Sequence, residues 1–390
     1  MSVRTLLIGP GGHGGEGVYM QELVDHPPDD IDYVRTGGFH EGAPGVRCDT
    51  VREVLLNRVV HPFAIPDMGL RALRATVRFD LIHVHAHPVR LRTRHATPLV
   101  MSEGSSAAVY AGAYLGWDDD RLARGVARTR RMYRALGIAD RLLTLERATA
   151  AYVFSDWARA INVRWGADPA KLEVIAPGFA TPPETDRSGR DGFTLLFVGG
   201  DFERKGGFEL VEAFAQAIRE RPELRLVIAG SDPERRNPDR LLHEWVPATR
   251  RADGLETIAR LEREGVLRRL PWVSREALTT KLYPEADAFA MPTHAEGFGF
   301  TNVEAMSFGL PVVTSTVGPA AEIIDDRRTG VLVTAGDVDA LRDALVGLAS
   351  DPSGARAMGA AARASFLRRF TRERFRANLG AFYRRALDAA

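Results

Sequence analysis

The chain has one cysteine, Cys48, in 390 residues. That excludes an intramolecular disulfide framework and any cysteine-rich zinc site. Lysine is nearly missing too: of 52 basic side chains only Lys171, Lys205 and Lys281 are lysines, and the rest are arginine. The ratio reads as codon bias, and it singles out each lysine that remains. There is no charge excess, since 52 basic against 51 acidic residues leave +1. No global field therefore recruits nucleic acid. No apolar run nears the ~18 residues of a membrane span. Residues 2–9 have neither the apolar length nor the cleavage site of a signal peptide, so a cytoplasmic protein is expected. No repeat of solenoid period occurs.

What remains is globular, 45% hydrophobic and 26% charged, and long enough for about two to three domains. Short apolar or β-branched runs at 80–84, 98–101, 172–175, 194–198, 225–229, 288–291, 311–314 and 331–333 alternate with helix-period stretches. This alternation predicts an α/β fold with doubly wound parallel sheets. Segment 177–192 holds Pro177, Gly178, Pro182, Pro183, Ser188, Gly189 and Gly192 without periodicity and reads as a linker. It separates an N-terminal domain, 1–177, from a C-terminal domain, 193–365, followed by a helical region at 366–390. Each half opens with a strand and a glycine-rich turn, Ile8-Gly9-Pro10-Gly11-Gly12 and Val198-Gly199-Gly200. Two such domains facing across a cleft would gather their strand C-terminal ends, where these folds bind ligands.

The first turn, Gly9 to Gly15 with Gly12 inside it, contains the spacing of a dinucleotide fingerprint, and a helix is expected from about Glu16. The ribose-binding acid expected some 20 residues later is absent; the next strand ends Tyr33-Val34-Arg35, and an arginine suits a 2′-phosphate. An NADP-dependent oxidoreductase is one reading. A tight turn without dinucleotide is the preferred one, because this pattern alone has many false positives. His83, His85 and His87 alternate and share a strand face. With no fourth ligand apparent, a cleft-lining role for His85 or His87 is preferred to a metal site. Asp118-Asp119-Asp120 suit a helix start. Arg121, Arg124, Arg128 and Arg131 then follow one helical face, and Leu122, Val126, Thr129, Tyr133 and Leu136 another. Such a helix, within 121–136, can rest on anionic lipid; a core-packed helix with a solvated arginine face is preferred.

Chemistry concentrates in the second half. Asp201-Phe202-Glu203-Arg204-Lys205-Gly206-Gly207 follows a strand and opens a helix. Two adjacent cations at a helix N-terminus make an anion site from point charge, guanidinium fork and helix dipole. The run from Pro292 to Met306 places Glu296 in a Gly-Phe-Gly turn and Glu304 eight residues on, within the following helix. Gly297 and Gly299 let backbone N–H groups approach a ligand, and those near Phe300 and Thr301 suit a phosphate oxygen. Each carboxylate can accept from a pair of vicinal hydroxyls, on a sugar and on a ribose.

These residues, with Ala305 through Val313 after them, resemble the Glu-x7-Glu signature of family 4 retaining glycosyltransferases. Arg204-Lys205-Gly206 resembles the family's diphosphate-binding motif. Pro319–Ile324 with Thr329–Val333, Phe79–His85 and Val174–Gly178 resemble further segments in the family's order. The resemblance spans nearly the whole chain and is most specific from 198 to 333. It implies the GT-B architecture, with two Rossmann-like domains, a nucleotide sugar held mainly by the second and an acceptor mainly by the first. It implies that Arg204 and Lys205 neutralise the donor diphosphate, doing without a metal or other cofactor, that Glu296 holds sugar hydroxyls, and that Glu304 holds the ribose. It implies further that Gly200, Val273, Gly297, Phe298, Gly299, Phe300 and Thr301 line the donor, that Gly12 reaches it from the first domain, and that the last helix crosses back to that domain.

Two places depart from the family. Gly200 stands where an arginine usually precedes the motif lysine, and Gly104 where the first domain usually carries a histidine. His85, His87, Glu103 and Ser105 are the acceptor-side candidates in its place. The expectation is a metal-independent retaining glycosyltransferase acting on a small-molecule, lipid-linked or glycan acceptor. A non-catalytic nucleotide-sugar-binding protein stands as the alternative.

Overall fold

A computed structural model describes residues 2–10, 14–36, 43–48, 71–86, 89–93, 96–106, 109, 111–112, 116–136, 141–230, 232–234 and 244–390. The chain forms two compact units, Met1–Gly178 with Arg372–Ala390, and Phe179–Thr371.

Unit one contains β1 (Val3–Ile8), β2 (Ile31–Arg35), β3 (Val46–Cys48), β4 (Arg71–Ala75), β5 (Leu81–His85), β6 (Val89–Arg92), β7 (Leu99–Glu103), β8 (Ala150–Val153) and β9 (Leu172–Val174). Six of these pair in the order β2-β1-β5-β7-β8-β9, every pair parallel. Leu6, Leu7, Leu81, Val84 and Val100 are fully buried, as continuous apolar runs require when helices cover both faces of a sheet. The other three strands make a small mixed sheet, β3-β4-β6. Val46, Leu73 and Val89 from it pack on Leu6, Ile8 and Val84. Helix Asp119–Leu136 buries Leu122, Val126, Thr129 and Tyr133 and turns Arg121, Arg124, Arg128 and Arg131 outward. The last helix, Arg372–Asp388, buries Phe375, Leu379, Phe382 and Tyr383 in this unit. Arg372 pairs with Glu22, Arg376 with Asp29 and Arg385 with Glu173 along its length.

Unit two contains β10 (Phe193–Val198), β11 (Leu224–Ala229), β12 (Leu267–Leu270), β13 (Ala288–Met291), β14 (Val312–Ser315) and β15 (Gly330–Val333). All pair in parallel, in the order β12-β11-β10-β13-β14-β15. Sequence direction reverses between β10 and β13, and that switch point is where open α/β sheets bind ligands. Helix Gly207–Glu220 follows β10 and buries Phe208, Leu210, Val211 and Phe214, each worth roughly 1.5–3 kcal/mol over exposure. The segment 177–192 is anchored at its far end. Arg187, 9% exposed, donates from Nε to Ala286 O at 2.6 Å and from its two terminal nitrogens to Phe308 O and Tyr283 O, each at 3.0 Å. Burial pushes its pKa down to about 10, so it stays charged at neutral pH. Among the described residues no helix is long and apolar enough to cross a membrane.

Candidate functional site

Two turns meet at the switch point of unit two, one after β10 and one after β13. Gly206 ends the first in the left-handed region, φ 74°, as the N-cap of helix Gly207–Glu220. A Cβ there would sit 2.0 Å from the Pro292 carbonyl oxygen, so only glycine lets the two backbones approach. His294 N–H and the Thr293 hydroxyl both donate to Arg204 O, at 2.8 and 3.2 Å. Arg204 in turn donates from Nη1 to Ala295 O at 2.5 Å and lies 3.4 Å from Asp201. On the far side, Gly318 has φ 58° and a Cβ would stand 2.4 Å from Glu296 O. The second turn is thus clamped between two glycines.

This clamp pairs Lys205 Nζ with Glu296 Oε2, both side chains almost out of solvent at 12% and 14% exposure. Glu296 Oε1 accepts from Gly297 N–H at 3.2 Å. Burial alone would raise the Glu296 pKa, but Lys205, Arg204 and these hydrogen bonds outweigh it and hold the carboxyl below its ordinary value. Burial first, with the neighbouring Arg204, lowers the Lys205 pKa below its ordinary value despite Glu296. Glu304 lies in helix Phe300–Ser307. Its Oε1 accepts from Arg275 Nη1 at 2.5 Å and its Oε2 from the Tyr283 hydroxyl at 3.1 Å. Tyr283 is fully buried, and that burial, with Glu304 beside it, raises its pKa well above 10 and keeps it a donor. It follows a π-helical turn, Leu278–Leu282.

The structure therefore brings Arg204, Lys205, Glu296 and the amides of Gly297–Thr301 into one neighbourhood. Phe298 is buried, against Phe300 and Phe370, so only its backbone faces that turn. Gly200 stands at the end of β10 with open space where a side chain would point. Val273 is half-buried beside the 65%-exposed Trp272, after β12. A recess of 270 Å³ lined by Thr194, Arg225, Leu267, Leu282 and Glu285 opens at the opposite ends of β10, β11 and β12 and holds none of these residues. Arg275 and Tyr283 escaped the sequence reading; their only signal is position after a strand that precedes Glu304.

In unit one, Gly12 and His87 lie outside the described residues. His85 closes β5 with its side chain fully buried and so lines no surface itself. Its Nδ1 meets Ser102 Oγ at 2.8 Å and its Nε2 meets the Glu16 carboxylate, which is 43% exposed. Ser102 Oγ also meets His83 Nε2 at 2.7 Å, His83 Nδ1 meets the Tyr383 hydroxyl at 2.7 Å, and Tyr383 meets Tyr33 at 2.7 Å. Burial, then the neighbouring His85, drives the His83 pKa well below its ordinary value. Glu103 is 3% exposed and Ser105 half-buried. Arg35, the candidate for a dinucleotide 2′-phosphate, donates to Gln21 at 3.1 Å and Pro10 O at 3.4 Å. Gly9 packs against the end of the Met20 side chain, where a Cβ would stand 2.6 Å from the sulfur. Among the described residues no cluster of three metal-ligating side chains occurs.

Residues 184–365 match the family model of glycosyl transferases group 1. The chain is 30% identical over 317 residues to the D-inositol 3-phosphate glycosyltransferase of Kribbella flavida, covering 77% of this chain and 70% of that one. It is 32% identical to the Kineococcus radiotolerans protein of the same name, covering 75% and 68%. Among solved structures it resembles sucrose-phosphate synthase from Thermosynechococcus elongatus, with TM-score 0.67, 20% identity and all of both chains covered. It also resembles Anabaena HepE in complex with UDP and glucose, with TM-score 0.65, 16% identity and 98% and 99% covered. These structural likenesses show the fold, two parallel-sheet α/β domains of the GT-B type.

Proposed function

We propose a residue-level account of the reaction from the premise that this chain belongs to the glycosyl transferases group 1 family. It is a retaining glycosyltransferase that takes its sugar from a nucleotide sugar, and the oxidoreductase reading of the first glycine turn has no support left. The finer assignments are ours. Lys205 and Arg204 neutralise the donor diphosphate and stabilise the charge that grows on it as the sugar departs. Glu296, held by Lys205 and Gly297 N–H, accepts from hydroxyls of the sugar. Glu304, with one lone pair on each oxygen engaged by Arg275 or Tyr283, presents the others to the ribose diol. The bond from the anomeric carbon to the diphosphate oxygen breaks, and a bond to the acceptor oxygen forms on the same face. The acceptor's proton passes to the departing phosphate oxygen, so the protein's task is positioning and charge stabilisation.

The observation that carries this reading is the buried Lys205–Glu296 pair at the switch point of unit two. A cation suited to a diphosphate and a carboxylate suited to a diol lie side by side there, between Gly206 and Gly318, and this supports the reading. The relatives' names and HepE's ligands point to a uridine-diphosphate donor and a cyclic polyol acceptor such as D-inositol 3-phosphate. A cytoplasmic place fits a donor of that kind. Were the acceptor lipid-linked, the outward arginines of Asp119–Leu136 would let unit one rest on an anionic surface.

The test is turnover of UDP-glucose with D-inositol 3-phosphate, followed by proton NMR. Release of UDP with an α-configured product is expected. A β-configured product contradicts retention, and an unconsumed donor that also fails to bind contradicts the donor assignment.

A further inference from the structure

The acceptor side of the reaction lacks the histidine that the resemblance leads one to expect at position 104, where this chain has Gly104. Glu16 and Phe154 border that space: a Cβ on Gly104 would sit 3.1 Å from Glu16 Oε1 and 3.1 Å from Phe154 Cδ2. Glu16 opens helix Gly15–Asp25 immediately after β1, His85 ends β5, and Ser102 lies near the end of β7. The sheet order β2-β1-β5-β7 reverses direction between β1 and β5. Glu16 and His85 therefore stand at the carboxyl-end switch point of unit one, the position at which such sheets bind ligands.

Behind Glu16 runs the buried chain His85, Ser102, His83, Tyr383 and Tyr33. An ionised Glu16 only accepts, so His85 Nε2 carries a proton toward it. Burial, the first cause in each case, lowers the His83 pKa and raises those of Tyr383 and Tyr33, which keeps these three members neutral. The chain ends on Glu16, whose side chain is 43% exposed. A carboxylate has about four lone-pair sites, so Glu16 can hold His85 and still accept from a ligand.

We propose that Glu16 is the acceptor-binding carboxylate of unit one, taking hydroxyl groups of a polyol acceptor, and that His85 is the positioning residue that fixes it. This rests on the glycosyltransferase reading above and names the acceptor chemistry. A neutral or hydroxyl-presenting face of the acceptor meets Glu16, and an acceptor phosphate is kept away from it by like charge.

The test uses the full chain labelled with 15N-histidine and neutral polyol probes: myo-inositol, D-glucose and glycerol. The His85 imidazole, assigned by loss of its signals in His85→Gln, carries a proton on Nε2 in wild type. At least one polyol shifts those signals without donor present, and the same polyol accelerates UDP release from UDP-glucose. Glu16→Gln weakens both effects tenfold or more while the thermal stabilisation by UDP persists. His85→Gln, which keeps a donor toward Glu16, raises the half-saturating polyol concentration less than His85→Leu does, with kcat less affected than KM. Polyol effects that survive Glu16→Gln overturn the proposal, and so does the absence of any polyol effect on the His85 signals. Failure of UDP to stabilise the protein, with the polyol shifts intact, would instead strike the donor-site reading alone.

Discussion

Lys205 shows how much one residue can carry when its type is rare in the chain. It was legible as a cation at a helix start, and Glu296 as a carboxylate in a glycine turn. That the two pair was not legible, because 91 residues separate them and only the sheet's strand order joins their turns. Glu304 was likewise legible, but Arg275 and Tyr283 were not: a buried tyrosine reads as core until its hydroxyl is seen to meet a carboxylate. Glu16 was invisible for the same reason, its partner being 69 residues away. Removing one member of a buried pair leaves the other charge unpaired, which typically costs about 3 kcal/mol. Glu296→Gln is therefore expected to lower the unfolding free energy by about that much, and Lys205→Met/Glu296→Gln to recover most of it, as denaturant titrations would show. The depressed Glu296 pKa has a sign to check as well. Its stabilisation is fully present above the ordinary carboxylate range and is lost as pH falls through the folded value, so Glu296→Gln should flatten the acid limb of melting temperature against pH.

At the scale of elements, most strands were readable, down to the three-residue β9 expected at 172–175, and a few short ones were not. β1, β5, β7, β10, β11, β13, β14 and β15 all appear within two residues of the expected runs. β8, Ala150–Val153, is half alanine, which carries little strand preference. β3, β4 and β6 were not among the expected runs, because arginines interrupt their apolar residues; Val46, Leu73 and Val89 pack on the main sheet. Helix starts were easier. Gly206 marks the turn before Gly207–Glu220, and its left-handed backbone and the Pro292 carbonyl leave no room for a methyl group. Gly206→Ala should either prevent folding of unit two or, in protein that folds, lower its melting temperature and abolish stabilisation by nucleotide together. A variant that melts and binds like wild type would show that the turn tolerates displacement.

For the whole molecule, composition marked 177–192 as a linker, and the structure divides the chain between Gly178 and Phe179. Composition could not reveal that Arg187, inside the apparent linker, is tied by three carbonyls to unit two. Nor could periodicity say that the last helix joins the first unit; Phe375, Leu379, Phe382 and Tyr383 look equally able to bury anywhere. The two units have separate cores, so calorimetry should resolve two contributions to unfolding. Leu379→Ala, at a fully buried position, is expected to destabilise unit one by about 3 kcal/mol and leave the transition of unit two in place. A shift of both transitions together would mean that the units unfold as one.

The donor site remains the centre of the account, and titration calorimetry with UDP, ADP, GDP and dTDP tests it without needing an acceptor. One nucleoside diphosphate should bind wild type at a single site, and Lys205→Ala and Glu304→Ala should each weaken it at least tenfold, about 1.4 kcal/mol. Binding of none of the four, or binding that both variants leave unchanged, would contradict the assignment of that site.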